Sequence, residues 1–202
     1  MNVIVDGKPI DLSFEGQNTI GDVVGHVSSE LDTKLRIIRV VVDGQDITGK
    51  SDAHNQGIQG VGTIEVTTGL ATVLALETLD GIQDFHNALE LELNRAADEF
   101  RMGNTVKSNE MFARCVDGLH ILLRTTISVA NLLQVDSKEV EAGSHKMSDV
   151  TADISKVLEE LINAQVNRDS ILIADLIEYE LKPLLDDWQD AREHLRRIGK
   201  AA

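Results

Sequence analysis

The sequence predicts an α+β protein in two parts: a sheet-forming segment over residues 1–69 and an all-α, antiparallel four-helix bundle over residues 70–202. Three observations lead there. Apolar side chains alternate with polar ones near the start, and from Leu70 onward the apolar period lengthens to about 3.6. Asp6-Gly7 and Asp43-Gly44 follow β-patterned runs and suit tight hairpin turns. Aromatic residues are only 3% of the chain, so the cores must be built from Leu, Ile, Val and Ala, which suits small sheets and helix bundles.

In the first part, Val3 and Val5 alternate before the Asp6-Gly7 turn, and the return strand Lys8–Phe14 places Ile10, Leu12 and Phe14 on one face. Asn18 or Thr19 can cap a helix carrying Ile20, Val23, Val24, Val27 and Leu31 at helical spacing. Gly21 and Gly25 weaken that helix by about 1 kcal/mol each, so packing on the hairpin must hold it. The β-branched run Ile37–Val42 is a strand, residues 48–60 read as a polar Gly-rich loop, and Thr63–Thr67 is a last strand with Ile64 and Val66 on one side. Gly69 is the expected linker.

This order of hairpin, helix, strand, loop and strand over residues 1–68 resembles the ubiquitin-like β-grasp superfamily, in which a sheet wraps one helix. Covalent modifiers of that superfamily end in a free Gly-Gly tail. Here Gly69 alone follows the last strand and the chain runs on, so the resemblance implies a docking or spacer role instead of conjugation.

The helical part opens with a helix near Thr72–Arg101, whose seam is Leu79, Ile82, Phe85, Leu89, Leu93, Ala96 and Phe100; Gly103-Asn104 stops it. A second helix, about Val106–Leu133, repeats Phe112, Cys115, Leu119, Leu122, Thr126, Val129 and Leu133 in alternating steps of three and four, the spacing of left-handed helix packing. After a polar connection over residues 134–147, a shorter helix carries Val150, Ile154, Val157, Leu161 and Ala164. The last helix, near Ser170–Ile198, carries Ile177, Leu181, Leu184, Trp188, Ala191, Leu195 and Ile198, and a kink is expected at Pro183.

Between Ile171 and Leu185 the apolar content exceeds one stripe. Leu172, Leu176 and Tyr179, with Pro183 beyond them, form a second row. Either this helix touches two neighbours, or the row is a partner-binding surface for an amphipathic helix; a homodimer interface would give the same pattern. Several stretches are similar to the bacterial flagellar export chaperones that hold flagellin subunits. They are Thr72-Val73-Leu74-Ala75-Leu76 with Leu79-Asp80-Gly81, Lys107-Ser108-Asn109-Glu110, Asn163–Asp169 and Asp187–Ala191. That resemblance spans about residues 70–195 and implies a bundle that shields a helical segment of a client protein in the cytoplasm.

Net charge is −15, with −5 in residues 1–68 and −10 in residues 69–202. Nucleic acid and acidic membrane surfaces are therefore poor partners. A single cysteine, Cys115, excludes an internal disulfide and reads as a small buried hydrophobe. No charged start precedes an apolar run, and no apolar stretch approaches the roughly 20 residues of a membrane span. A cytoplasmic location is expected.

Catalytic patterns are missing. Asp117 and His120 form one acid-x-x-His pair, whereas a di-metal bundle needs two Glu-x-x-His pairs and two further Glu residues. His86 and Glu90, at i and i+4, read as an ordinary surface pair. His26, His54, His145 and His194 lack ligand-spaced companions, and Gly57, Gly60 and Gly62 lack the lysine of a phosphate loop. Asp186-Asp187 and Glu159-Glu160 read as a solvated face. The expectation is a non-enzymatic protein-interaction module with no catalytic residue, cofactor or metal site. Its partner is a protein client or a second copy, and the rivals are an enzyme or metal-binding bundle and a purely structural homodimer.

Overall fold

The computed structural model describes residues 1–202, apart from the side chain of Thr105. The protein is a mixed α+β chain that divides into two compact units, Met1–Val73 and Leu74–Ala202.

The first unit holds β1 (Asn2–Val5), β2 (Lys8–Pro9), α1 (Ile20–Glu30), β3 (Leu35–Val42), β4 (Gln45–Asp46), the short α2 (Ser51–His54) and β5 (Thr63–Leu70). The strands form one sheet in the order β2-β1-β5-β3-β4. The central pair, β1 with β5, is parallel (Val3 opposite Ile64, Val5 opposite Val66), and every other pair is antiparallel. Asp6-Gly7 and Asp43-Gly44 both carry positive φ at each residue (49° and 76°, 47° and 82°), the signature of a type I′ hairpin turn. Their carboxylates also tie the sheet together. Asp6 accepts from the Thr68 N–H at 2.8 Å and Asp43 from the Thr63 N–H at 2.7 Å. Those bonds from Thr68 hold the Asp6 carboxyl below its ordinary range.

Thr19 caps α1. Its hydroxyl accepts from the Asp22 N–H at 3.1 Å, and Asp22 accepts in return from the Thr19 N–H at 2.9 Å, a reciprocal capping box. Ile20, Val23 and Val27 of α1 then meet Val3, Val40, Ile47, Ile64 and Val66 in a core of aliphatic side chains.

Three expectations for this unit change. The return strand is two residues, not seven; Pro9 sits at a non-hydrogen-bonded pair opposite Ile4, where its missing N–H costs nothing, and Ile10 adds one bond to the Val3 carbonyl at 3.0 Å before the chain departs. The loop over 48–60 contains α2, and Gly21 is what admits it: a Cβ there would lie 3.0 Å from the His54 carbonyl oxygen. Gly69 is a strand residue paired with Arg36, not a linker. Ile38 lies against it, 3.1 Å from where a Cβ would stand, so its smallness serves packing.

The second unit is built from α3 (Ala71–Arg101, entered directly from β5), α4 (Thr105–Leu132), α5 (Met147–Val166), α6 (Ser170–Asp175) and α7 (Lys182–Ala201). Leu79, Leu89, Leu93 and Phe100 of α3 meet Phe112, Cys115, Leu119, Leu122 and Val129 of α4 in one core with Ile154 and Leu161 of α5. The connection expected to be loop holds a 3-10 turn (Ser137–Glu139) and a hairpin of β6 (Glu141–Ala142) and β7 (His145–Lys146), with Val140 and Ala142 fully buried. Strands of two residues show no periodicity, so nothing in the sequence pattern announced them.

At Pro183 the backbone responds with a π-helical segment, Leu176–Leu181, between α6 and α7. The Lys182 N–H reaches back five residues to the Ile177 carbonyl. Proline removes one donor and crowds the carbonyl four residues earlier, and the wider turn relieves that crowding. Asp175, Leu176, Leu181 and Lys182 all keep right-handed helical φ and ψ.

Two glycines of this unit test the packing. Gly118→Val is expected to cost about 1–3 kcal/mol, because its Cβ would begin 2.9 Å from Leu89 Cδ1. Gly81→Ala, with nothing within 4 Å of the new Cβ, is expected to add about 1 kcal/mol. Urea unfolding followed by the helical signal measures both, and shifts of the same sign would contradict this packing.

Candidate interaction surface

The row of Leu172, Leu176, Tyr179 and Pro183 does not stay together. Leu172, Tyr179 and Pro183 face outward, with Tyr179 64% and Leu172 44% exposed, but Leu176 is only 6% exposed and belongs to the core. The geometry of a helix accounts for this correction. From Leu172 to Leu176, along α6, a step of four advances about 40°, here toward the core that Ile173 and Ile177 already face.

Arg101, at the end of α3, crosses to this surface. Its Nη2 donates to Asp175 Oδ1 at 3.1 Å and to Glu178 Oε2 at 2.5 Å, and the Glu178 carboxylate, then Asp175, raises the guanidinium pKa further. Met102, next in sequence, is exposed.

The start of α4 and the end of α5 also meet here. Gln165 Nε2 donates to Asn109 Oδ1 at 3.2 Å, and a cleft of about 410 Å³ is lined by Phe100, Asn109, Gln165, Arg168, Ser170 and Ile173. Around this pole Val166 and Val106 are more than 70% exposed, and Ile171 also points outward. Sequence reasoning found Leu172 and Tyr179 from their spacing. It missed Met102, Val106 and Val166 because they flank turns, where an apolar residue breaks no helical pattern.

A second correction concerns His86. It is not on the surface but fully buried, its ring stacked on Trp188 with centroids 5.2 Å apart and planes 11° from parallel. Arg192 closes this layer between α3 and α7, its Nη1 donating to the Leu79 carbonyl at 3.4 Å and its Nη2 to Glu193 at 2.5 Å. Both ring nitrogens of His86, Trp188 Nε1 and Arg192 Nε lack a hydrogen-bond partner among the described residues. Each such atom costs about 1–3 kcal/mol, so the layer is weak despite its burial. A glutamate four residues from a histidine could not reveal it. The burial comes from Trp188, distant in sequence.

The other candidate groups stay apart. Asp117 and His120 are both exposed on α4, and among the described residues no three His, Cys, Asp or Glu side chains stand where they could hold a metal ion. Among the same residues no helix is long and apolar enough to cross a membrane. Cys115 is buried in the seam, and that burial pushes its thiol up to about 12.

From residue 77 to residue 191 the sequence matches the family described as Domain of unknown function (DUF8042). The chain belongs to that family. The matched stretch holds His86, Trp188 and the outward residues Leu172 and Tyr179. Residues 1–69 match the description TP0873 N-terminal domain. A protein of Treponema pallidum (strain Nichols), named "Uncharacterized protein", is 23% identical over 201 residues, covering 96% of this chain and 98% of its own. The similarity thus runs through both units. No solved structure matches the chain.

A buried, protonated thiol is a poor nucleophile. Cys115 is therefore expected to resist a thiol-reactive dye in the native protein and to react fully in guanidinium. Equal rates in both conditions would contradict the packed seam.

Proposed function

We propose that the chain is a non-enzymatic, cytoplasmic protein-interaction protein whose helical unit shields an amphipathic helical segment of a client, in the manner of an export chaperone. The observation that carries this reading is the cluster of exposed apolar side chains at one pole of the helical unit, where Met102, Val106, Val166, Ile171, Leu172 and Tyr179 lie on the two turns and the helices they join. Exposed apolar side chains gathered at one end of an otherwise charged protein support an interaction site there. Helix-binding surfaces take side chains at the i, i+3, i+4 and i+7 positions of their partner.

Two structural readings go with it. The first unit is read as a ubiquitin-like β-grasp domain, supported by a mixed sheet whose parallel central pair joins the first and last strands, with α1 packed on one side. The second is read as an antiparallel four-helix bundle of α3, α4, α5 and one continuous last helix running from α6 through the π segment into α7. The unbroken helical backbone at both junctions supports that. In this reading the β-grasp unit is a second docking surface.

The pole serves equally well as an interface between copies, so the test must separate the two. Val166→Glu combined with Tyr179→Glu should abolish recovery of a co-purifying protein from the native cell while the helical content is unchanged. Sedimentation of the purified wild type should show a monomer at every concentration. Full recovery by the double variant would refute the pole as the client site. A concentration-dependent dimer that the double variant dissolves would replace the client with a second copy.

A further inference from the structure

We propose that the His86–Trp188–Arg192 layer is a proton-operated latch between α3 and α7: with His86 neutral the two helices stay closed, and proton uptake by its imidazole parts α7 from α3 and brings Trp188 into water. This goes beyond the client-binding reading and does not depend on it.

The geometry carries the inference. His86 and Trp188 are both fully inaccessible and stacked face to face, one from each helix. Neutral imidazole needs one acceptor and one donor, and the layer supplies neither. Imidazolium would bring two N–H donors and a full charge into the same place. Glu90 of α3 stands 3.8 Å from Nε2, beyond hydrogen-bond reach. The other charges acting on the ring come from α7, with Asp186 favouring the cation and Arg192 opposing it. A buried imidazolium whose nearest carboxylate stands 3.8 Å away, with no hydrogen bond to either N–H, is costly, and the available relief is hydration.

Burial is the main reason His86 titrates below its ordinary value, with Arg192 adding to it and Glu90 and Asp186 only partly offsetting it. In the opened form the ring returns to its ordinary value of about 6.5. The closed state is therefore fully favoured above that pH and loses favour as pH falls from there toward the lowered value. One proton makes the open-to-closed ratio rise about tenfold per pH unit across that window. The hinge is also in place, since the π segment lies immediately ahead of α7 and Pro183 sits in its first turn.

Trp188 is the only tryptophan, so its fluorescence reads the latch directly. In the full-length wild type, lowering pH from 7.5 to 5 should shift the emission to the red with a slope of one proton, while far-ultraviolet circular dichroism keeps its helical signal. His86→Phe, which preserves the stack and cannot take a proton, should lose that transition; His194→Gln, at the contact of α7 with β6, should keep it. Hydrogen exchange of the wild type needs no variant: after correction for the intrinsic rate, α7 should exchange faster at pH 5.5 than at 7.5 while α5 does not change. A buried Trp188 emission down to pH 5, the same transition in His86→Phe, or equal acceleration of α5 and α7 would each overturn the proposal.

Discussion

A proline inside a buried helix must be accommodated without turning the apolar face away from the core, and the second unit depends on that accommodation. Residues 176–181 take the π spacing ahead of Pro183, so Ile173, Ile177, Leu181, Leu185, Trp188 and Leu195 all reach the interior. Had the segment broken, either α6 or α7 would have lost its seam. The same helix also shapes the surface. It buries Leu176 and leaves Tyr179 outside beside Glu178, whose carboxylate is held by Arg101.

The first unit is held by a different economy. Its core is small and aliphatic, so turns and caps carry an unusual share of its order. Asp6 and Asp43 each serve twice, taking the left-handed conformation in a turn and accepting backbone N–H groups from β5. Thr19 and Asp22 satisfy each other's backbone at the start of α1. These short polar contacts position β5 between β1 and β3, and that central placement fixes the sheet order.

The interior of the second unit is almost wholly apolar, which makes its exception informative. Where α3 meets α7, an imidazole, an indole and a guanidinium share a dry layer in which several donors find no acceptor. An apolar replacement would hold the helices more firmly, so this layer costs stability that the surrounding seam supplies.

Much of the fold was legible from residues alone. The change of apolar period near Leu70, the two Asp-Gly turns, the Thr19 cap and the seam residues of α3, α4 and α5 all follow from local rules, because helical and strand periodicity record which side of an element faces inward. Tertiary structure alone decided the rest. Pairing of β1 with β5, the two-residue strands, the role of Gly69 under Ile38 and the burial of His86 all depend on which distant segment arrives as a neighbour. The row on the last helix lay between these cases. Its spacing marked an excess of apolar residues, but only the direction of the core could sort Leu176 inward from Leu172 and Tyr179 outward. Sequence spacing sets the angles between side chains on a helix, and only packing sets where zero lies.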